Sequence, residues 1–354
     1  MSRQNAGSPV WRRNPARAVY RGGDGTTGVS AMKSYLKTTE QVYEQAALTP
    51  QPALCCVQQA RPHLPGLVIP PVMEAMNYGC GSTVHLQDFA EGQRMLYIGV
   101  GGGLEALQFA YFARHPGGVV AVDPVAAMRE QARRNLQTAA ALNDWFEPDF
   151  VELVDGSALA LPLPDGAIDL VAQNCLFNIF EPDDLLTALQ EVRRVLVPGG
   201  RLVLSDPIAS RPIPPHLQAD ERLRAMCLSG CLPLEQYLGC IVEAGFGQID
   251  IRARRPYRVL DSARYGLDAN LLLESIELAA YNVPVPADGP CIFTGRTAIY
   301  TGQEEHFDDR AGHILPVGLP AAVCDKTADK LARLHHSDLV ITAPTYHYQG
   351  GGCC

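Results

Sequence analysis

Met95-Leu96-Tyr97-Ile98-Gly99-Val100-Gly101-Gly102-Gly103-Leu104 decides the fold of this chain. The four apolar residues predict a buried strand and the glycines a tight turn. The amphipathic stretch from Leu104 to Arg114 predicts a helix. Gly99, Gly101 and Gly103 let the backbone approach a ligand closely, and a helix N-terminus directs unpaired N–H groups at it. A second apolar run, residues 118–122, leads into Asp123. About twenty residues past the glycines is where a carboxylate takes both hydroxyls of a ribose. Strand, glycine turn, helix and acid together predict a nucleoside site at the end of parallel strands.

The glycine spacing is not that of the dinucleotide fingerprint, and the motifs downstream of Asp123 narrow the choice. Asp155-Gly156-Ser157-Ala158 comes after the apolar run 150–154, and residues 165–171 lead into a fourth strand. A helix over 183–196 carries one apolar stripe, Leu185, Leu186, Leu189, Val192 and Leu196, and stops at Pro198-Gly199-Gly200-Arg201. Another strand occupies 202–206. This succession resembles the class I S-adenosylmethionine-dependent methyltransferases over roughly residues 90–255. The fold class expected is α/β: a Rossmann-like sheet with flanking helices, plus a smaller C-terminal α+β or mainly β domain. The resemblance implies that Gly99, Gly101 and Gly103 shape the S-adenosylmethionine turn, that Asp123 holds the ribose, and that Asp155 and Ser157 border the adenine. Asp123 alone also reads as a loop cap, and Asp155 with Ser157 as a plain turn. Asn174 is either a turn former or a cofactor contact.

A chain of 354 residues exceeds one typical domain. The formal net charge of −9 gives no basic footprint for nucleic acid. No stretch is long and apolar enough for a membrane span, and no signal peptide is visible. Eleven cysteines without secretion read as thiols, so a cytoplasmic enzyme is expected. Residues 1–31, with Arg3, Arg12, Arg13, Arg17 and Arg21 among Ser, Gly, Asn and Pro, read as a disordered extension ahead of Met32. Residues 32–90 read as a helical, cysteine-bearing, substrate-binding segment, 91–260 as the methyltransferase domain and 261–354 as the small C-terminal domain.

The cysteines specify the acceptor. Cys55-Cys56 is a vicinal pair, Cys80 lies in Asn77-Tyr78-Gly79-Cys80-Gly81, and Cys175 comes directly after the fourth strand in Gln173-Asn174-Cys175-Leu176-Phe177-Asn178. Cys227 lies in Met226-Cys227-Leu228-Ser229-Gly230, and the chain closes Gly350-Gly351-Gly352-Cys353-Cys354. These motifs resemble those of arsenite S-adenosylmethionine methyltransferases, in the bacterial branch associated with arsenosugar synthesis. The resemblance implies that Cys80, Cys175 and Cys227 hold trivalent arsenic as substrate, with Cys55 or Cys56 assisting. It also implies arsenite and methylated trivalent arsenicals as ligands, and thioredoxin or glutathione as reductant. Trivalent arsenic is soft, so three thiolates suit it better than imidazole or carboxylate, and its lone pair needs no general base. Cys240, Cys291 and Cys324 read as core, Cys231 as a spare thiol beside its motif, and Cys353-Cys354 as a mobile accessory. Two other readings are a methyltransferase for a small organic acceptor such as a quinone, and a non-catalytic thiol protein that sequesters arsenic or metals.

Overall fold

The computed structural model describes residues 32–51, 54 and 63–348. The expected extension 1–31, and Cys55, Cys56, Cys353 and Cys354, lie outside the described residues. Strand β1 (Met95–Ile98) lies inside an eight-stranded sheet, with β2 (Val119–Asp123), β3 (Val151–Asp155), β4 (Ile168–Asn174) and β5 (Leu196–Ala209). These five run parallel in the order β3-β2-β1-β4-β5. Their apolar runs are continuous because both faces are covered. Met95 and Tyr97 belong to one buried cluster with Phe109 and Leu136, while Leu96 and Ile98 belong to another with Leu189 and Val192.

Helix α1 (Ser34–Leu48) and the short α2 (Pro71–Ala75) precede the sheet. Then α3 (Leu104–Ala113) comes after β1, α4 (Ala126–Ala140) after β2, and α5 (Pro182–Val195) after β4. The α5 helix begins with proline and two acidic residues and ends with Arg193 and Arg194, which suits the helix dipole at both ends. The sequence placed a stop at Pro198-Gly199-Gly200. In the structure these residues form an irregularity within β5: Ile168 pairs with Leu196 but Leu170 with Arg201. Past β5 come α6 (Pro215–Gln218), α7 (Glu221–Ala225) and α8 (Leu234–Glu243). Helix α1 packs on α4 and on α7, so it touches the helix just past the nucleoside acid and the one just before Cys227.

The sheet continues beyond residue 260, where the sequence reading placed a boundary. β6 (Gln248–Leu260) and, after α9 (Ser262–Tyr265), β7 (Leu271–Tyr281) pair antiparallel, and β7 inserts between β5 and β6. β8 (Cys291–Phe293) closes that edge. Beyond it, β9 (Arg296–Tyr300) pairs with β12 (Ala321–Val323) and β13 (Leu339–Ile341). β10 (His306–Asp308) and β11 (Ile314–Pro316) form a hairpin, and α10 (Asp325–Arg333) completes the region. Ala298, Tyr300, Leu315, Val323, Ala328 and Leu331 give it a small core of its own.

Candidate active site

The nucleoside half of the site stands at the carboxyl ends of β1, β2 and β3. Gly99, Gly101 and Gly103 have φ of 81°, 50° and 85°, in the left-handed region open to glycine. Asp123 is buried, and its carboxylate accepts the N–H groups of Val100 and Val125, each at 2.9 Å. Burial pushes this carboxyl up to about 6, opposed by those backbone donors and by Arg129. The Gly101 N–H also reaches this carboxylate, so three backbone donors of the turn and of the segment after β2 converge on it. Asp155 stands in register with Asp123 on β3. Arg129 Nη1 donates to the Asp123 carbonyl at 2.6 Å and pairs with the Asp155 carboxylate at 2.8 Å. Ser157 Oγ accepts the N–H of Leu159 at 3.2 Å, closing the turn after β3. The bare glycine loop, with its left-handed backbone, and the buried carboxylate at the end of β2 fit a nucleoside cofactor.

The thiol half lies beside it, where β4 and β5 end. Cys80, Cys175 and Cys227 are all buried and come from three separate segments. Hydrogen bonding with Cys227 and Cys80, together with burial, pushes the Cys175 thiol well above its ordinary value. Cys227 Sγ donates to the Cys175 carbonyl at 2.9 Å. Both Cys175 and Cys227 have φ of 59°, a conformation that side-chain-bearing residues rarely adopt. Such strain persists only where the surrounding packing enforces it, and it clusters at functional sites. Cys80 is fixed by Asn174, whose Oδ1 accepts the Cys80 N–H at 2.9 Å while Nδ2 donates to Gly81 O at 2.8 Å and to Glu105 at 3.0 Å. The Asn174 amide is thus spent on the cysteine loop. Among the described residues no group of three or more His, Cys, Asp or Glu side chains is already set to hold a metal ion. The sulfurs are turned toward one another and their neighbours.

The structure also places residues that the sequence reading passed over. Glu105, at the start of α3, accepts from Thr83 Oγ1 at 2.7 Å, from Asn174 and from Tyr97, tying the nucleoside helix to the Cys80 loop. Asp206 is fully buried, bonded by Tyr237 at 2.5 Å and Gln173 at 2.7 Å, and burial pushes its carboxyl up to about 7. Cys231 is buried beside Cys227, its sulfur 3.5 Å from Asn178 Nδ2. Cys324 is buried in the core, as expected, whereas Cys240 and Cys291 are half-buried. Gly79 has no room for a side chain: a Cβ there would lie 2.4 Å from Asn174 Nδ2. Gly79→Ala is expected to displace the Cys80 loop and slow turnover about a hundredfold, with S-adenosylmethionine affinity within about twofold of the parent. Parallel kinetics and cofactor titration check this; equal loss of both would mean that the whole site collapses.

Comparison with known proteins agrees with this geometry. Residues 96–204 match a methyltransferase domain family, and residues 287–349 match a domain of unknown function. The arsenite methyltransferase of Aquipseudomonas alcaligenes is 27% identical over 260 residues, which cover 70% of this chain and 73% of that one. The arsenite methyltransferase of Halobacterium salinarum is 28% identical over 50% of this chain, and that of Mus musculus 30% identical over 44%. Here the matches span 43% and 41% of the relatives' own length. A crystal structure of an arsenic(III) S-adenosylmethionine methyltransferase from Chlamydomonas reinhardtii has a TM-score of 0.53 and 23% identity, covering 79% of this chain and 95% of that one; that likeness is one of fold. With the domain match and the curated relatives together, this chain is an S-adenosylmethionine-dependent methyltransferase, similar in sequence to arsenite methyltransferases.

Proposed function

We propose that the chain methylates trivalent arsenic, arsenite first and methylarsenite second, in arsenic detoxification or arsenosugar synthesis. The observation that carries this reading is the meeting of Cys80, Cys175 and Cys227 beside the nucleoside cradle, two of them on left-handed backbone. Three thiolates satisfy a soft trivalent centre and leave its lone pair free. S-adenosylmethionine, when bound, supplies an electrophilic methyl group. Gly99, Gly101 and Gly103 shape its turn, Asp123 takes the ribose, and Asp155 and Ser157 border the adenine. Asn174 acts through Cys80, as a positioning residue. Holding arsenic and methyl in line supplies much of the rate.

Each transfer forms an As–C bond and raises arsenic formally from three to five. A thiol that attacks the coordinated Cys80 sulfur then forms a disulfide, returns the electron pair to arsenic and releases its proton. Cys55 or Cys56 fills that role, and thioredoxin or glutathione reduces the disulfide. After the first transfer the methyl group replaces one sulfur, so the third thiol matters most for arsenite. Cys80→Ser, and the double change Cys55→Ser with Cys56→Ser, are therefore expected to stop the first methylation while sparing much of the second. Methylation of arsenite and methylarsenite side by side, with both reductants supplied, tests this. Equal loss on the two substrates would leave these thiols as supports of the fold or the cofactor.

A further inference from the structure

Asp123 and Asp155 end neighbouring parallel strands in register, so two carboxylates stand side by side at the nucleoside site. Like charges placed opposite one another on a sheet repel. Asp123 is buried and held by the N–H groups of Val100 and Val125. Asp155 is held differently. Its side chain is 75% exposed, and among the described residues its carboxylate meets one partner, Arg129, at 2.8 Å. Without that contact, repulsion from Asp123 and the pull of hydration would turn it out into water.

Arg129 stands in the first turn of α4, where its N–H donates to the Val125 carbonyl at 3.1 Å. Val125 is the residue whose own N–H holds the Asp123 carboxylate. A cation in a first turn lies at the positive end of the helix dipole, which is unfavourable for the helix. Helix stability therefore does not account for Arg129, whereas the two acids do. Its Nη1 alone makes both contacts, to the Asp123 carbonyl at 2.6 Å and to the Asp155 carboxylate at 2.8 Å. The Arg129 side chain is 15% exposed, so water screens this pair less than it screens a pair out on the surface.

We propose that Arg129 sets the base preference of the cofactor site, as a positioning residue that fixes Asp155 to receive the 6-amino group of adenine. The inference rests on the reading of Asp155 as the adenine border given above. A carboxylate accepts hydrogen bonds and donates none, so it favours a purine with an amino group at that position. A purine with a carbonyl there, as in hypoxanthine, brings an acceptor against an anion and is refused. Refusal needs a fixed carboxylate, because one that swings into water escapes the wrong base at little cost. The same nitrogen that fixes Asp155 also holds the Asp123 backbone, so one side chain sets the base and ribose ends together.

The test is calorimetric titration of the full chain, without arsenic, with S-adenosylhomocysteine and with S-inosylhomocysteine, whose bases differ in that one group. The parent is expected to prefer the adenine ligand by about tenfold or more. In Arg129→Ala the preference is expected to fall to about threefold or less. Asp155→Ala is expected to do the same, and the double variant to be no worse than either, because Arg129 acts through Asp155. Arg129→Lys is expected to restore most of the preference, since a single nitrogen makes both contacts. A full preference in Arg129→Ala would overturn the proposal. So would equal loss of both ligands there, which would make Arg129 a prop for the junction of β2 and α4. A full preference in Asp155→Ala would overturn the placing of adenine at Asp155, and the proposal with it. A parent that binds neither ligand would overturn the nucleoside reading itself.

Discussion

Cys175→Ser and Cys227→Ser are each expected to cut methylation of both arsenite and methylarsenite by at least about a hundredfold, or about 2.7 kcal/mol of transition-state stabilisation. A methylarsenical needs two thiolates, and Cys175 and Cys227 are in contact, with Cys227 Sγ on the Cys175 carbonyl. Serine is close in size to cysteine, so packing is largely kept, but its hydroxyl is a hard ligand that trivalent arsenic binds poorly. Both positions also hold a left-handed backbone, which serine tolerates no worse than cysteine, so the substitutions add no new strain. The loss therefore reports ligation. Turnover on both substrates, with circular dichroism and cofactor titration as controls, measures it. A variant with near-normal turnover of both would return its cysteine to the core.

Asp123→Ala is expected to weaken S-adenosylmethionine binding by at least about a hundredfold. Two ribose hydrogen bonds to a charged acceptor are lost, at about 1.5–3 kcal/mol each. The same carboxylate accepts the N–H groups of Val100 and Val125, so alanine also frees the glycine loop. Arsenite binding is expected to persist, because the thiol half rests on Asn174 and Ser205. A pH series gives a second reading. Burial raises the Asp123 carboxyl to about 6, so it is ionised above that value and neutral below it. The anion is the better acceptor for ribose hydroxyls, so cofactor affinity in the parent should fall as pH drops through about 6. In Asp123→Ala this limb should be missing. Unchanged affinity in the variant would remove Asp123 from the site.

The nucleoside half was legible because its signals are local. The apolar run 95–98, the glycines and Asp123 declare strand, turn and acid within one stretch of chain, and the structure has them in that order. The parallel strands were legible for the same reason, since side chains buried on both faces leave an unbroken apolar run. The sequence reading placed a domain boundary at 260, where the segments turn short and β-like; β7 lies past it, and only its pairing with β5 and β6 reveals where it belongs. In the thiol half, the cysteines stood out by residue type and motif, but their supports did not. Asn174 reaches Cys80 across 94 residues, Ser205 across 125, and Glu277 meets Ser82 across 195. A buried carboxylate such as Glu277 looks like any surface acid until the fold closes around it. The left-handed φ at Cys175 and Cys227 is likewise imposed by tertiary packing, and no local pattern announces it.

The most direct measurement of arsenic methylation is speciation of the product. Purified chain is incubated with arsenite, methyl-labelled S-adenosylmethionine and thioredoxin with glutathione, and the arsenicals are separated and counted. The expected result is label on methylarsenical first and dimethylarsenical later, matched one for one by S-adenosylhomocysteine formed, and absent when Cys175 or Cys227 is serine. Cofactor turnover on a quinone or another organic acceptor with no label on arsenic would contradict it, as would arsenite that binds stoichiometrically and is never methylated.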